Sequence, residues 1–91
     1  MEVQPTDQRH FSAEVRLELR ASGEVFDLAG IGPAEFVPRH PLDLPACNAE
    51  IVMFVDGTGF LWPVRLPQGA VPFEKTVRTE SRGDMQRLGP T

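Results

Sequence analysis

The sequence predicts an all-β fold, a small six-stranded antiparallel barrel or twisted sandwich. Three observations lead there. Residues 11–20 alternate strictly between apolar and polar side chains. Residues 50–66 place two apolar, β-prone runs on either side of Asp56-Gly57-Thr58-Gly59. Nine prolines and eight glycines cut the chain into short segments, with turn signals at roughly 8–12-residue spacing, the rhythm of a small barrel or sandwich rather than of helices.

Ninety-one residues correspond to one domain. The expected organisation is a flexible N-terminal arm over residues 1–10, a single β domain over 11–78 and a flexible tail over 79–91. The tail is polar and has too few apolar groups to offset its ordering entropy. The formal net charge of -4 argues against non-specific binding to a nucleic acid polymer, which needs clustered cations against phosphate. No apolar run approaches the roughly 18–20 residues that span a bilayer, and the polar first ten residues are not a signal peptide. A single cysteine, Cys47, excludes an intrachain disulfide and fits a reducing, cytoplasmic setting.

Taken in order, the first strand places Phe11, Ala13, Val15, Leu17 and Leu19 on one face. Ser12, Glu14, Arg16, Glu18 and Arg20 lie on the other. Period two over ten residues marks a half-buried antiparallel strand with a solvated charged face. Ala21-Ser22-Gly23-Glu24 is a turn, and Val25 to Leu28 returns. Gly30, Gly32 and Pro33 then break or bulge the chain before a third strand over Ala34 to Val37. Residues 38–48 hold three prolines, which remove ladder donors and restrict their predecessors, so this is a crossing loop. Leu42 and Leu44 are expected to cap one end of the core.

The central hairpin follows. An Asp-Gly pair between β-prone runs is a strong turn signal, because a tight hairpin turn needs positive φ. Ile51, Met53 and Val55 share one face of its first strand; Val52 and Phe54 share the other. A strand apolar on both faces calls for a closed barrel or for a second chain to cover it. In the partner strand, Pro63 cannot donate to a ladder and implies an edge or a bulge. Trp62 reads as core. A last strand is expected over Val71 to Val77, with Phe73 counted among the core residues.

No catalytic constellation emerges. No serine stands in a nucleophile-elbow context, no paired carboxylates are evident, and His40 lacks a partner at metal-ligand spacing. Cys47, between a proline-bearing turn and an apolar run, reads as a small apolar residue at a strand start. No catalytic residue, metal or cofactor is therefore predicted.

One span carries a family resemblance. Arg9 stands ahead of the alternating strand Phe11 to Arg20, a short turn follows, and Asp27-Leu28-Ala29-Gly30-Ile31-Gly32 ends the next strand. The span from about Arg9 to Leu66 resembles the PilZ domain, a small β-barrel associated with cyclic di-GMP. That family has an Arg-x-x-x-Arg arm followed by Asp/Asn-x-Ser-x-x-Gly. The resemblance implies a ligand site at Arg9, Asp27 and Gly32. Two departures weaken the ligand clamp: Ala29 replaces the serine, and Arg9 has no arginine four residues before it. The functional expectation is a non-enzymatic binding or interaction module. The alternatives are a PilZ-like cyclic di-GMP effector and a homo-oligomeric structural subunit. Expected partners are accordingly a protein, a second copy of the chain, or a cyclic dinucleotide.

Overall fold

The computed structural model of the protein describes residues 15–90. Eight strands form one antiparallel sheet: β1 (Val15–Ala21), β2 (Glu24–Ile31), β3 (Glu35–Pro38), β4 (Cys47–Val55), β5 (Thr58–Leu66), β6 (Val77–Arg78), β7 (Glu80–Ser81) and β8 (Gln86–Pro90). The strand order is β6-β3-β2-β1-β4-β5-β7, and β8 also pairs with β5. The class is the expected one, with two more strands than the six predicted.

The two ends of this strand path belong to one short segment. β6 pairs with β3 and β7 pairs with β5, and only Thr79 separates β6 from β7. The Thr79 amide donates to the Ala34 carbonyl at 2.9 Å. Residues 77–81 thus draw the two ends together, and the sheet is a nearly closed barrel.

Two hairpins build most of the wall. The β1–β2 turn has Ser22 at φ 54 and Gly23 at φ 77; the β4–β5 turn has Asp56 at φ 50 and Gly57 at φ 86. Positive φ at both central residues matches the right-handed strand twist, as the sequence led us to expect. β4 and β5 pair without a break from Cys47↔Leu66 to Val55↔Thr58. The register between β2 and β3 shifts between Leu28 and Gly30, the bulge anticipated at Gly30.

The inner face carries the core. Leu19, Phe36 and Leu66 are fully buried, Leu28 nearly so, and Ile51, Val64 and Val77 pack among them. Trp62, Leu17 and Phe26 pack against this cluster while remaining partly exposed. The proline-bearing loop crosses one end of the barrel. Leu42 is buried in the core and Leu44 lies against it, so both serve as the expected cap. Leu44 and Ala70 exchange amide–carbonyl bonds of 2.9 Å. Next to this bridge Gly69 has φ 66, and a Cβ there would collide with the Leu44 carbonyl and approach the Pro45 carbonyl carbon to 2.7 Å. Only glycine fits.

Three expectations are corrected. Val71 to Val77 is not a strand, because Pro72 cannot donate and the Glu74 amide turns back to the Val71 carbonyl at 3.1 Å. Strand structure resumes only at Val77. Phe73, on this loop, is 83% exposed rather than core. Residues beyond 79, expected as a tail, instead form β7 and β8 against β5. Arg82 anchors them: its amide donates to the Pro63 carbonyl at 2.9 Å, its Nε to the Val64 carbonyl at 2.8 Å and its Nη2 to the Ala49 carbonyl at 3.4 Å.

Pro63 is a milder case. It sits in the middle of β5 opposite Glu50, where an edge or bulge was predicted. Its carbonyl faces Arg82, and in a strand the N–H of the same residue points the same way. The missing donor therefore faces the interval between β7 and β8, where no ladder bond is needed. Residues 1–10, the expected arm, lie outside the described residues, as do Phe11 and Ala13.

Candidate functional site

The outer face of β1, β2 and β4 concentrates the charged residues. Arg16, Glu18 and Arg20 of β1 point outward because Leu17, Leu19 and Ala21 point in. Across the strands, Glu18 lies opposite Asp27 of β2 and Val52 of β4. Two carboxylates directly opposite each other repel, and the flanking arginines offset this. Arg16 Nε lies 3.5 Å and Arg20 Nη2 3.4 Å from Glu18 carboxylate oxygens. The Glu18 side chain keeps only 13% of its surface, against 65% for Arg16 and 40% for Arg20. This face is therefore not simply solvated, as the alternation had suggested. It is an ion-paired layer laid over the second apolar face of β4. Val52 beneath it is fully buried, and the Arg16 guanidinium sits 4.8 Å from the Phe54 ring centroid, within cation–π range.

Beside this layer runs an exposed groove of about 370 Å³. Arg16, Asp27, Ala29 and Arg39 contribute its polar and outer walls. β1 and β2 position the first three. Arg39 is fastened by its backbone, its amide donating to the Asp27 carbonyl at 3.0 Å. The groove gathers one carboxylate, Asp27, and two arginines, Arg16 and Arg39, all on paired strands or tied to one. Such a set accepts hydrogen bonds from N–H donors at Asp27 and offers bidentate contacts to an anion at Arg39, while Arg16 is engaged by Glu18 and Phe54. Ala29 lines the groove without a hydroxyl, so the position where the PilZ-like motif has serine adds no donor.

Of the three site residues expected from the sequence, Asp27 lies in this groove. Gly32 does not: it begins the β2–β3 turn, where its amide donates to the Glu35 carbonyl at 2.8 Å, and it lines a separate cleft. Gly32 lies five positions further along the chain, about 16 Å of extended backbone. Arg9 lies outside the described residues. Arg16 and Arg39 are the groove residues that sequence reasoning missed as a site. Arg16 was read as one more solvated charge. Arg39 stands in a proline-bearing loop with no local signal, and only the pairing of that loop with β2 brings it to Asp27.

A second surface feature lies on the β5–β6 loop. Phe73 and the exposed Val71 border a groove of about 610 Å³ whose charged walls are Glu35, Glu74 and Arg78. Among the described residues, no three His, Cys, Asp or Glu side chains are grouped to hold a metal ion, and no helix is long and apolar enough to cross a membrane. His40 is exposed. Cys47 opens β4, half-buried at the end of the core, the strand-start position anticipated for it. Comparison with known proteins adds no relative: no family model, no curated protein and no solved structure matches this chain.

Proposed function

We propose that the chain is a non-enzymatic cytoplasmic binding module acting through the groove of Arg16, Asp27 and Arg39. The observation that carries this reading is the gathering of Arg16, Asp27 and Arg39 along one groove, with Asp27 on a strand paired on both sides. Glu18, by contrast, is engaged by both neighbouring arginines and serves as a structural ion rather than a base. The chemistry of the groove suits a planar ligand with ring N–H donors and an attached anion. Guanosine monophosphate is a simple probe of that class. In an amide-resolved NMR titration it should shift Asp27, Ala29 and Arg39, and Arg39→Ala should abolish the response. Shifts absent from these residues at millimolar probe would overturn the groove as the site.

The PilZ resemblance supplies a specific ligand of this class, cyclic di-GMP. Asp27 would accept from guanine N–H groups, and Arg39 would take the place of an arm arginine at phosphate or ring. Calorimetric titration separates this reading from the general one. Heat that disappears in Asp27→Ala supports it; no heat at high-micromolar ligand retires cyclic di-GMP and leaves the groove open to other ligands.

A protein contact is the second reading, favoured by Phe73. An aromatic side chain 83% exposed beside Val71 resembles the anchors around which interfaces are built. If that partner is a second copy, sedimentation should show a dimer that Phe73→Ser dissociates. A clean monomer at about 100 μM, where a micromolar dimer would be populated, excludes the homo-oligomeric subunit.

A further inference from the structure

The barrel closes imperfectly, and its seam leaves a cleft of about 240 Å³. The end of β2 supplies Ile31 to one side of the cleft. The inner faces of β4 and β5 supply Ile51, Trp62 and Val64, and the closing segment supplies Thr79 and Ser81. The cleft shares no residue with the charged groove.

We propose that this seam is a second binding site, for a small monocyclic aromatic molecule bearing one hydroxyl or carbonyl group. Two independent features point to it. The first is the wall. Ile51 and Val64 are 6% exposed, while Trp62 is only partly buried against the core, which leaves indole surface for a ring to stack on. A volume of this size lies below the usual range for drug-sized ligands and above the ~150 Å³ that holds a benzene, so one substituted ring fits. The second feature is Thr79. It is 8% exposed and is the buried polar residue among those described. Its amide is used by Ala34, but its hydroxyl makes no hydrogen bond within the described chain. Nor is that hydroxyl among the atoms sealed from solvent without a partner. It therefore reaches solvent, and because Thr79 lines the cleft, a polar group of a ligand can take the place of water on it. The apolar wall holds the ring while Thr79 selects for the polar substituent.

Benzyl alcohol and toluene are matched probes for these two parts. The chain has one tryptophan, so its indole N–H gives a single, unambiguous NMR signal. Both probes should shift the Trp62 indole and the Thr79 amide at low-millimolar concentration. Thr79→Val keeps the side-chain shape and removes the hydroxyl. It should weaken benzyl alcohol about fivefold, the share of one hydrogen bond, and leave toluene within about twofold. Ile31→Ala trims the rim at a residue 39% exposed, where folding is least at stake, and should weaken both probes about threefold through lost contact. The proposal is overturned if neither probe shifts Trp62 and Thr79, or if the shifts centre on other residues. It also fails if Thr79→Val weakens both probes equally, because the threonine would then be structural. None of these outcomes depends on the response of Asp27 or Arg39, so the two sites are judged separately.

Discussion

On the inner face of β4, Ile51 meets Leu19 of β1 and Trp62 of β5; on its outer face, Val52 meets Glu18 and Leu61. Ile51 is 6% exposed and Val52 not at all, so both are equally well hidden. The covering chemistry differs. Inside, hydrocarbon packs on hydrocarbon across the barrel. Outside, Arg16 and Arg20 flank Glu18 beside the apolar residues, and the Arg16 guanidinium lies 4.8 Å from the Phe54 ring centroid. Long charged side chains shield apolar surface with their stems and leave the charged ends in water. Of these arginines, Arg16 also lines the groove at Asp27.

The contrast can be broken most strongly from the inside. Phe36→Ala removes the largest fully buried side chain and should cost about 3–5 kcal/mol in denaturant unfolding. A value near that of the outer-face variants would show that the interior is loosely packed. Glu18→Ala attacks the outer layer. It leaves two guanidinium groups close together over apolar surface, including the already unpartnered Arg20 Nε, and should cost about 1–2 kcal/mol. If the cost is electrostatic, it should shrink at about 1 M salt, where screening acts within roughly 3 Å; the Phe36→Ala cost should not respond that way. Arg82→Ala tests the edge on which the barrel closes. It removes two side-chain bonds to the Val64 and Ala49 carbonyls and should cost about 1 kcal/mol, with faster proteolysis after residue 79 as the more sensitive readout. Arg16→Ala is the smallest. With a side chain 65% exposed, it should cost about 0.5–1 kcal/mol through lost stem packing and cation–π contact. A neutral result would show that Phe54 does not need its cover.

Much of the wall was legible locally. The alternation around Leu17 and Leu19, the Ser22-Gly23 and Asp56-Gly57 turns and the capping leucines each depend on neighbours close in sequence, where period and turn chemistry act directly. Phe73 was misread because its place in an alternating run outweighed Pro72, which ends the ladder. Residues 79–90 were misread because their anchor is polar. Arg82 contributes no hydrophobic signal, yet its donors satisfy carbonyls on β4 and β5.

The candidate site was less legible still. Asp27 was picked out by a short motif, but its companions Arg16 and Arg39 were not. A charge on an alternating strand looks the same whether it faces water or lies along a groove. The motif glycine, Gly32, stands just past the end of β2 in a different cleft.

The sequence by itself determined that β1, β2, β4 and β5 form as strands, where they turn, and that β4 must be covered on both faces. Only the tertiary structure decided what covers them and where the sheet closes. The closing strands β6 and β7 have two residues each, too short to show any period. The partners of β6 in β3 lie 41–43 residues back in the chain, and those of β7 in β5 lie 15–17 back. Pairing of that kind depends on the space left between β3 and β5, which exists only once the rest of the barrel has folded. The groove at Asp27 and the cleft at Thr79 follow from that closure and from the crossing of the proline-bearing loop.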